Sequence, residues 1–350
     1  MTSTAAALAA ALACATGPAA QAGPEAPRTE RVSTTSDGAQ GDGPSADPAI
    51  SADGRYAGFT STAAGFGCAA FFDCLRVKDL ATGEVVPVGA GDGAVYSAPL
   101  FSADGSRIAY TATKRFAMPY LHDRATGTSE RLWPADPPDR NELGAVHDIT
   151  PDGTHVAYGI GTRSGNQGSR LLYVRDTGTG TDEIVSAPDE GGKAAASLSA
   201  DGRRVAYGTG GPDATVHVKD RDTGERTRIG AGLGRAELVR ITGNGRRVLF
   251  NAQDGLYAHD LRTGATRRVA ETPAASATGD GRRVLLAEDD ALRVLDLRTG
   301  RRTDVGPAGV RADQAALDAR GRTVVFGSDA ADLVPDDTNG VSDVFVRHTR

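Results

Sequence analysis

The sequence is poor in aromatic residues, lysine, cysteine and long apolar stretches. Aromatic side chains make up 5% of the 350 residues, and there is a single tryptophan. The body of the chain has no apolar run of about twenty residues, which excludes a membrane-spanning helix there. The net charge is −6 and few of the basic residues are lysines. This balance argues against a nucleic-acid-binding protein with a basic stripe.

The first residues are almost all small, and they precede a more ordinary sequence. They resemble the apolar region of a secretory signal that ends at Ala20-Gln21-Ala22, although a basic start is missing. Cys14 also fits a lipoprotein signal, and a disordered alanine-rich tail is the third interpretation. We expect an exported protein at the cell surface or outside the cell. Residues 1–27 are its signal or leader, and residues 28–350 form one domain.

Two further cysteines, Cys68 and Cys74, lie close together in the segment Cys-Ala-Ala-Phe-Phe-Asp-Cys. A gap of this size can close across a loop or hairpin, and an exported protein would be oxidised. A metal pair is the alternative, but no second cysteine pair or histidine pair completes a zinc site. We therefore predict a disulfide.

Glycine is abundant, with 45 residues, and it recurs at a fixed place in a repeated phrase. In most copies the phrase is an apolar residue, a serine or threonine, a small residue or proline, Asp-Gly and a short strand. Its copies lie about 44 residues apart on average, close to the repeat of about 40–45 residues of some propeller blades. The seven copies are ISADGRYAGF from Ile50, FSADGSRIAY from Phe101, ITPDGTHVAY from Ile149, LSADGRRVAY from Leu198, ITGNGRRVLF from Ile241, ATGDGRRVLL from Ala277 and LDARGRTVVF from Leu317.

A second phrase, such as VKDLATG ending at Gly83 or VKDRDTG ending at Gly224, lies between these copies. Each unit thus contains a strand, an Asp-Gly turn, a strand, a loop, a strand, a Thr-Gly turn and a strand. Asp-Gly between β-rich runs is a strong hairpin signal. Four antiparallel strands per unit predict an all-β, seven-bladed β-propeller.

The two ends of the chain complete each other in this pattern. The seventh unit lacks its Thr-Gly turn and outer strand, whereas the segment after the leader reads as an isolated strand. We predict that Glu30–Thr34 pairs beside Val344–Arg347 and closes the ring, which removes an open sheet edge.

The repeated phrases resemble the TolB-like, WD-repeat-like propeller family. The segments RVSTTSDG (31–38) and LVPDDTNGVSDVFVR (333–347) are similar to exported actinobacterial members of it. The resemblance covers nearly all of residues 28–350 and implies the fold without a reaction. Such propellers serve as protein-binding platforms or as gating domains of serine peptidases. No Gly-x-Ser-x-Gly motif is present, so the peptidase role is weakly supported.

The Asp-Gly and Thr-Gly turns fall on one side of the disc, which we call the turn face. The other loops and the links between blades fall on the opposite side, the loop face, and vary widely. Loops on a rigid scaffold commonly carry function. We therefore place a binding site on the loop face and at the mouth of the channel, and we expect polar side chains there to bind a ligand or to pair with one another. Its candidate residues are Asp47, Tyr96, Trp133, His147, Asp148, Arg240 and Gln314.

One loop also has the composition of a partial calcium site. Asp337, Asn339 and Asp343 present oxygen ligands around a glycine turn, and hard cations prefer such ligands. The final bidentate glutamate of an EF-hand is absent. A hydrogen-bonded Asx-rich turn is the alternative, so Ca²⁺ is the one cofactor considered.

The absence of a catalytic motif leads us to predict a monomeric, non-catalytic scaffold that binds a protein, a peptide or a cell-wall glycan. The alternative is a metal-assisted propeller enzyme of the lyase or lactonase type, with His147 and Asp148 at the channel mouth. A structural lipoprotein anchored through Cys14 is a third hypothesis. No nucleic-acid partner is expected.

Overall fold

The computed structural model describes residues 27–89, 94–136, 142–162, 171–187, 190, 193–253, 255–288, 291–306, 312 and 314–349. Cys14 and the segment Ala20–Ala22 lie outside these residues, so the signal and the lipid anchor stay predictions. Within the described part of the chain, no helix has the length and apolarity to cross a membrane.

The chain forms seven small antiparallel sheets, as predicted, with almost no helix. The first strand, β1 (Arg28–Arg31), belongs to the last blade. Blade 1 contains β2 (Ser45–Ile50), β3 (Tyr56–Ser61), a 3-10 helix (Ala64–Phe66), β4 (Cys74–Asp79) and β5 (Val85–Val88). Blade 2 contains β6 (Val95–Tyr96), β7 (Leu100–Phe101), β8 (Arg107–Thr113), β9 (Ala117–Asp123) and β10 (Thr128–Arg131). Blade 3 contains β11 (Glu142–Ile149), β12 (His155–Thr162), β13 (Leu171–Asp176) and β14 (Thr181–Ile184).

The remaining blades follow the same order from the inner strand outwards. Blade 4 contains β15 (Lys193–Leu198), β16 (Arg204–Thr209), β17 (Val216–Asp220) and β18 (Arg226–Ile229). Blade 5 contains β19 (Ala236–Ile241), β20 (Arg247–Ala252), β21 (Gly255–Asp260) and β22 (Thr266–Ala270). Blade 6 contains β23 (Ala274–Ala277), β24 (Arg283–Glu288), β25 (Ala291–Asp296) and β26 (Arg302–Gly306). Blade 7 contains β27 (Thr323–Ser328) and β28 (Asp343–His348), and β1 forms its outer edge.

The Asp-Gly turns owe their shape to side-chain hydrogen bonds. In blade 3, the Thr150 hydroxyl donates to the Asp152 carboxylate (2.7 Å), which also accepts from the backbone N–H of Thr154 (3.0 Å). Gly153 has φ of 71°, a region that glycine adopts without strain. The same bonds recur at Asp53, Asp104, Asp201, Asn244 and Asp280. These repeated aspartates are therefore turn-forming residues.

The few aromatic residues are used mainly in the cores of the blades. Five blades stack a ring of the second strand against a ring of the third strand, with centroids 5.4–5.9 Å apart. The pairs are Tyr110–Tyr120, Tyr158–Tyr173, Tyr207–His217, Phe250–Tyr257 and Phe326–Phe345. Apolar residues of neighbouring blades join in shared clusters, so the core is a ring of interfaces between blades.

The predicted ring closure is confirmed. β1 pairs with β28 in antiparallel register, with Arg28 opposite His348 and Arg31 opposite Phe345. Two inner strands differ from the simple four-strand pattern. Blade 2 builds its inner strand from two short pieces, β6 and β7, and blade 7 has only the bridge between Leu317 and Val324 among its described residues.

Hydrogen bonds between adjacent blades surround the channel near the turn face. The penultimate residues of four successive inner strands each bond to the next blade. Asp148 accepts from Leu198 N–H, Ser197 accepts from Ile241 N–H, Arg240 donates to the Ala277 carbonyl, and Ser276 donates to the Gln314 carbonyl. Backbone bonds between neighbouring Asp-Gly turns extend this belt, as from Asp53 N–H to the Ala103 carbonyl (3.0 Å). The turn face is thus the fixed end of the channel.

Candidate functional site

Asp148 and Arg240 lie at the end of the channel opposite to the one predicted. We placed them where the inner strands begin, but β11 starts at Glu142 and β19 starts at Ala236. Both residues are therefore next to last in their strands, beside the turn face. The prolines at 137 and 138 and the glycines at 230, 232 and 234 precede these strands closely, so the breaks in the sequence lie nearer the true starts than Asp148 and Arg240 do.

The Asp148 side chain is fully enclosed and serves the backbone. Its two oxygens accept from the N–H groups of Ile149 (2.9 Å) and Leu198 (2.8 Å). Burial raises the pKa of Asp148, whereas the positive charge of Arg240 opposes that rise. The Asp148 carboxylate thus links β11 of blade 3 to β15 of blade 4 within the belt.

Three other candidates are also engaged in structure. The half-buried ring of His147 lies over β12, where a Cβ at Gly159 would approach its Nε2 to 3.0 Å. Tyr96 is buried between blades 1 and 2, with its ring 5.8 Å from that of Tyr110. The Gln314 carbonyl accepts from Ser276 (2.6 Å).

Trp133 lies partly buried against the core between blades 2 and 3. The guanidinium of Arg131 stacks over its ring at 4.7 Å, and its carbonyl accepts from Arg175 (3.0 Å). These contacts match the alternative in which the tryptophan packs under its own loop.

The loop considered for calcium is held by an arginine. The guanidinium of Arg31 lies 3.0 Å from Asp337 and 3.3 Å from Asp343, and all three side chains are buried. Asn339 donates to Asp343 (3.0 Å), and Ser33 also donates to it (2.5 Å). A guanidinium therefore supplies the positive charge that these carboxylates require, which favours the Asx-rich turn over a calcium site.

Asp47 is a predicted residue that lines an open cleft on the loop face. A cavity of about 680 Å³ opens on the loop face between the start of β2 and the end of β27. Asp47 and Pro48 occupy the bulge of β2, where the pairing register shifts between Ala46 and Ala49. The lining residues are Pro44, Ser45, Ala46, Asp47, Pro48, Gly327, Ser328, Asp329, Gly340, Val341 and Ser342. We call this cavity the loop-face cleft.

The backbone at Asp47 is strained. Its φ is 51°, although residues before proline prefer extended conformations and non-glycine residues rarely adopt positive φ. Its carboxylate accepts from the Thr60 hydroxyl (2.8 Å). Bulges and strained residues occur frequently beside active sites, where they re-aim a side chain.

Asp73 lies in the loop between β3 and β4 and lines a separate cavity of about 460 Å³ together with Cys74, Tyr96 and His122. Burial raises the pKa of Asp73, and the negative charge of Asp47 raises it further. Asp73 precedes Cys74, which forms the predicted disulfide with Cys68. Asp73 was not among the residues predicted from the sequence, although its position next to a cysteine of the predicted disulfide could have indicated it.

A second cavity of about 680 Å³ lies between β1 and blade 1, but its cations are largely engaged. Arg28 pairs with Glu30, Arg31 with Asp337, and Arg55 with Asp79, while Lys78 donates to Thr34. The loop-face cleft is therefore the better candidate site.

Comparison with known proteins identifies the architecture more clearly than any sequence family. No family model matches the chain, and no characterised protein sequence matches it. An oligogalacturonate lyase in complex with manganese is similar in structure, with a TM-score of 0.67 and 14% identity, over 92% of this chain and 93% of that one. An oligogalacturonate lyase from Vibrio parahaemolyticus gives a TM-score of 0.65 and 14% identity, over 91% and 93%. TolB from Acinetobacter baumannii gives only 0.44, with 19% identity over 78% of this chain and 56% of TolB.

The prediction of a non-catalytic scaffold is corrected by these neighbours. These two structures match nearly the whole chain and are oligogalacturonate lyases, so a propeller without a linear catalytic motif is not thereby a non-catalytic scaffold. The absence of a linear catalytic motif misled the prediction, because a propeller can assemble a site from separate blades. At 14% identity the likeness itself establishes only the fold.

The manganese of the lyase neighbour has no matching ligand set among the described residues. No group of three or more His, Cys, Asp or Glu side chains in that part of the chain is arranged to hold a metal ion. Both oxygens of Asp148 are already committed to backbone N–H groups. These residues do not fit such a centre, so no catalytic step is derived through a metal.

Proposed function

We propose that this chain is a carbohydrate-active enzyme of the lyase type, with its site in the loop-face cleft. The strained backbone of Asp47 carries the proposal, because it turns a carboxylate into an open cavity at some conformational cost. Fold-level likeness to two oligogalacturonate lyases supports the reaction class by analogy.

In this proposal Asp47 is the general base in the cleft, and Asp73, which lines a separate cavity, is the general acid. Asp47 removes the proton from the carbon next to the carboxylate of a uronic acid residue. The electron pair forms a carbon–carbon double bond as the glycosidic carbon–oxygen bond breaks, and Asp73 protonates the leaving oxygen. The raised pKa of Asp73 suits the acid, since two carboxyl groups in different environments divide these roles.

A hydroxyl group in the cleft is available to orient the sugar. The Ser328 oxygen accepts from Ala330 N–H (3.1 Å), which leaves its proton for a ligand. Ser328 is the last residue of β27, so its position is fixed by the sheet.

Hydrolysis of a neutral glycan is the second candidate, favoured by the charge of the cleft. Its described lining contains Asp47 and Asp329 but neither lysine nor arginine. Such a surface repels an acidic sugar, whereas a paired acid and base also cleave neutral glycosides.

The experiment is a depolymerisation assay on the purified chain with polygalacturonate and with neutral glucan and xylan oligosaccharides. Elimination creates an unsaturated product that absorbs ultraviolet light, whereas hydrolysis creates reducing ends without that absorbance. We expect unsaturated product from the wild type and at least about a hundredfold loss of rate in Asp47→Asn.

Asp329→Asn is the matched control, because it removes a cleft carboxylate without a proposed role in proton transfer. Reducing ends without absorbance would establish the hydrolase instead. No cleavage of any substrate, or full activity of Asp47→Asn, would overturn the proposed site.

We also propose that the protein works outside the cytoplasm, as a single domain of residues 28–350 behind a leader of residues 1–27. The disulfide between Cys68 and Cys74 supports this, since such bonds persist mainly in oxidising compartments.

A further inference from the structure

The loop between β3 and β4 presents an apolar tip on the loop face. Cys68 and Cys74 are joined at its base, and Phe72 N–H donates to the Ala69 carbonyl (3.1 Å) within it. Phe71 is 101% exposed and Phe72 is 40% exposed. The disulfide and the internal turn restrict the directions in which these two rings point. We call Phe71 and Phe72 the aromatic tip.

Another phenylalanine of the same loop is buried. Phe66, a few residues earlier, is buried with its ring edge against Phe59 at 5.4 Å. Phe71 instead has φ of 71°, an unusual conformation for a bulky residue. A strained backbone that exposes an entire aromatic ring is a cost in the free protein, and a ligand that covers the ring would offset it.

The neighbours of the aromatic tip indicate where such a ligand would extend. Phe72 is followed directly by Asp73, which lines a cavity of about 460 Å³. The tip therefore borders the proposed general acid. A chain of sugars held by the rings would continue towards this carboxylate.

The size and charge of the tip favour a sugar over a protein or a membrane. A stable protein interface takes roughly 800 Å² from each partner, whereas an aromatic side chain buries about 150–250 Å². An anionic membrane attracts clustered basic residues, and residues 64–74 contain none. A pyranose ring needs only one aromatic face, because its C–H groups pack against the electron-rich face of the ring.

We propose that Phe71 and Phe72 form a stacking platform for a sugar ring, which extends the cleft into a longer glycan-binding surface. This inference rests on the proposed function, since it assigns the tip to the same substrate. The disulfide has the role of holding the platform in place.

The test is co-sedimentation of the full chain with pectate gel, with chitin and with insoluble peptidoglycan. Each experiment is repeated with a reductant that opens the disulfide between Cys68 and Cys74. We expect retention on at least one glycan and about a tenfold loss of affinity in Phe71→Ser. The control is Ile184→Ser, which removes an exposed apolar side chain (46%) from the outer strand of blade 3. Reduction of the disulfide should also weaken retention.

Asp47→Asn separates this inference from the proposed function. Retention by Asp47→Asn without cleavage supports both, and retention that needs Phe71 in a chain that cleaves nothing supports the platform alone. Equal losses in Phe71→Ser and Ile184→Ser, or no retention by the wild type, would overturn the platform. A change of oligomeric state in Phe71→Ser, with glycan retention unchanged, would assign the tip to a protein contact and also overturn it.

Discussion

The two faces of the propeller are held by different kinds of contact. On the turn face, each Asp-Gly turn is built from residues within a few positions of one another, and the same bonds recur from blade to blade. On the loop face, single contacts join residues about 300 positions apart, as from Asn339 to the Gly41 carbonyl and from Ser342 to the Ser45 carbonyl. Repetition stabilises one face, and unique long-range contacts stabilise the other.

The backbone shows the same contrast. Every described Asp-Gly turn places its positive φ on glycine. The described non-glycine residues with positive φ all lie on the loop face, namely Asp47, Phe71, Gln253 and Asp336. Strain of this kind persists where the surrounding structure enforces it and often accompanies function. The comparison therefore directs the search for activity to the loop face.

The largest expected loss of stability follows from removing a long-range contact of the loop face. Arg31→Met removes the guanidinium that pairs with buried Asp337 and Asp343. Two buried carboxylates would lose their partner, which should lower the free energy of unfolding by about 3–5 kcal/mol. Urea unfolding at pH 7 measures this loss.

Arg28→Met is the matched control, because Arg28 lies on the same strand and pairs with exposed Glu30. An exposed pair contributes about 0–1 kcal/mol. Similar losses in both variants would show that the long-range ion pairs do not hold the loop face.

A smaller effect is expected from a single turn of the other face. Asp152→Ala removes the acceptor for Thr150 and for Thr154 N–H, which should cost about 1–2 kcal/mol in urea unfolding. Asp152→Asn should cost much less, because Asn244 makes the same bonds in blade 5. If Asp152→Ala matched Arg31→Met, the turn face would depend on individual turns rather than on their number.

The turn face was predictable from sequence because its rules are local. A Ser-x-Asp-Gly phrase contains its own hydrogen-bond donors, acceptor and glycine, so each copy predicts its own hairpin. The pairing of Arg31 with Asp343 was not predictable, since a partner so distant in sequence is chosen only by the closed ring. The ring closure itself followed from counting strands at the two ends.

The candidate site also contains features that depend on tertiary structure and could not be predicted from the sequence. Asp47 was correctly selected as a residue at the start of an inner strand, but its positive φ depends on how the bulge packs. Asp148 and Arg240 were misplaced because each inner strand starts earlier, soon after the prolines at 137–138 or the glycines at 230–234, and these two residues lie next to its end. Asp73 gained its raised pKa from burial and from Asp47, which are both tertiary effects.

The smallest predicted effect has the opposite sign, and it concerns Asp73. The folded-state pKa of Asp73 is raised, so its contribution to stability is present below its unfolded pKa and is lost as pH rises through the folded value. Asp73→Asn should therefore stabilise the protein at pH 7 by about a few tenths of a kcal/mol. The effect is small because Asp73 is partly exposed, so solvent screens its repulsion from Asp47. The gain should disappear near pH 3, where the carboxyl is neutral in both the folded and the unfolded state.

The control is Asp104→Asn on the turn face, which should give no gain, because hydrogen bonds led by the one from Ser106 N–H lower the pKa of Asp104. If Asp73→Asn stabilises the protein and abolishes cleavage, the carboxyl group of Asp73 serves the reaction at the expense of stability. If Asp73→Asn destabilises the protein at pH 7, Asp73 is a structural residue like the aspartates of the Asp-Gly turns.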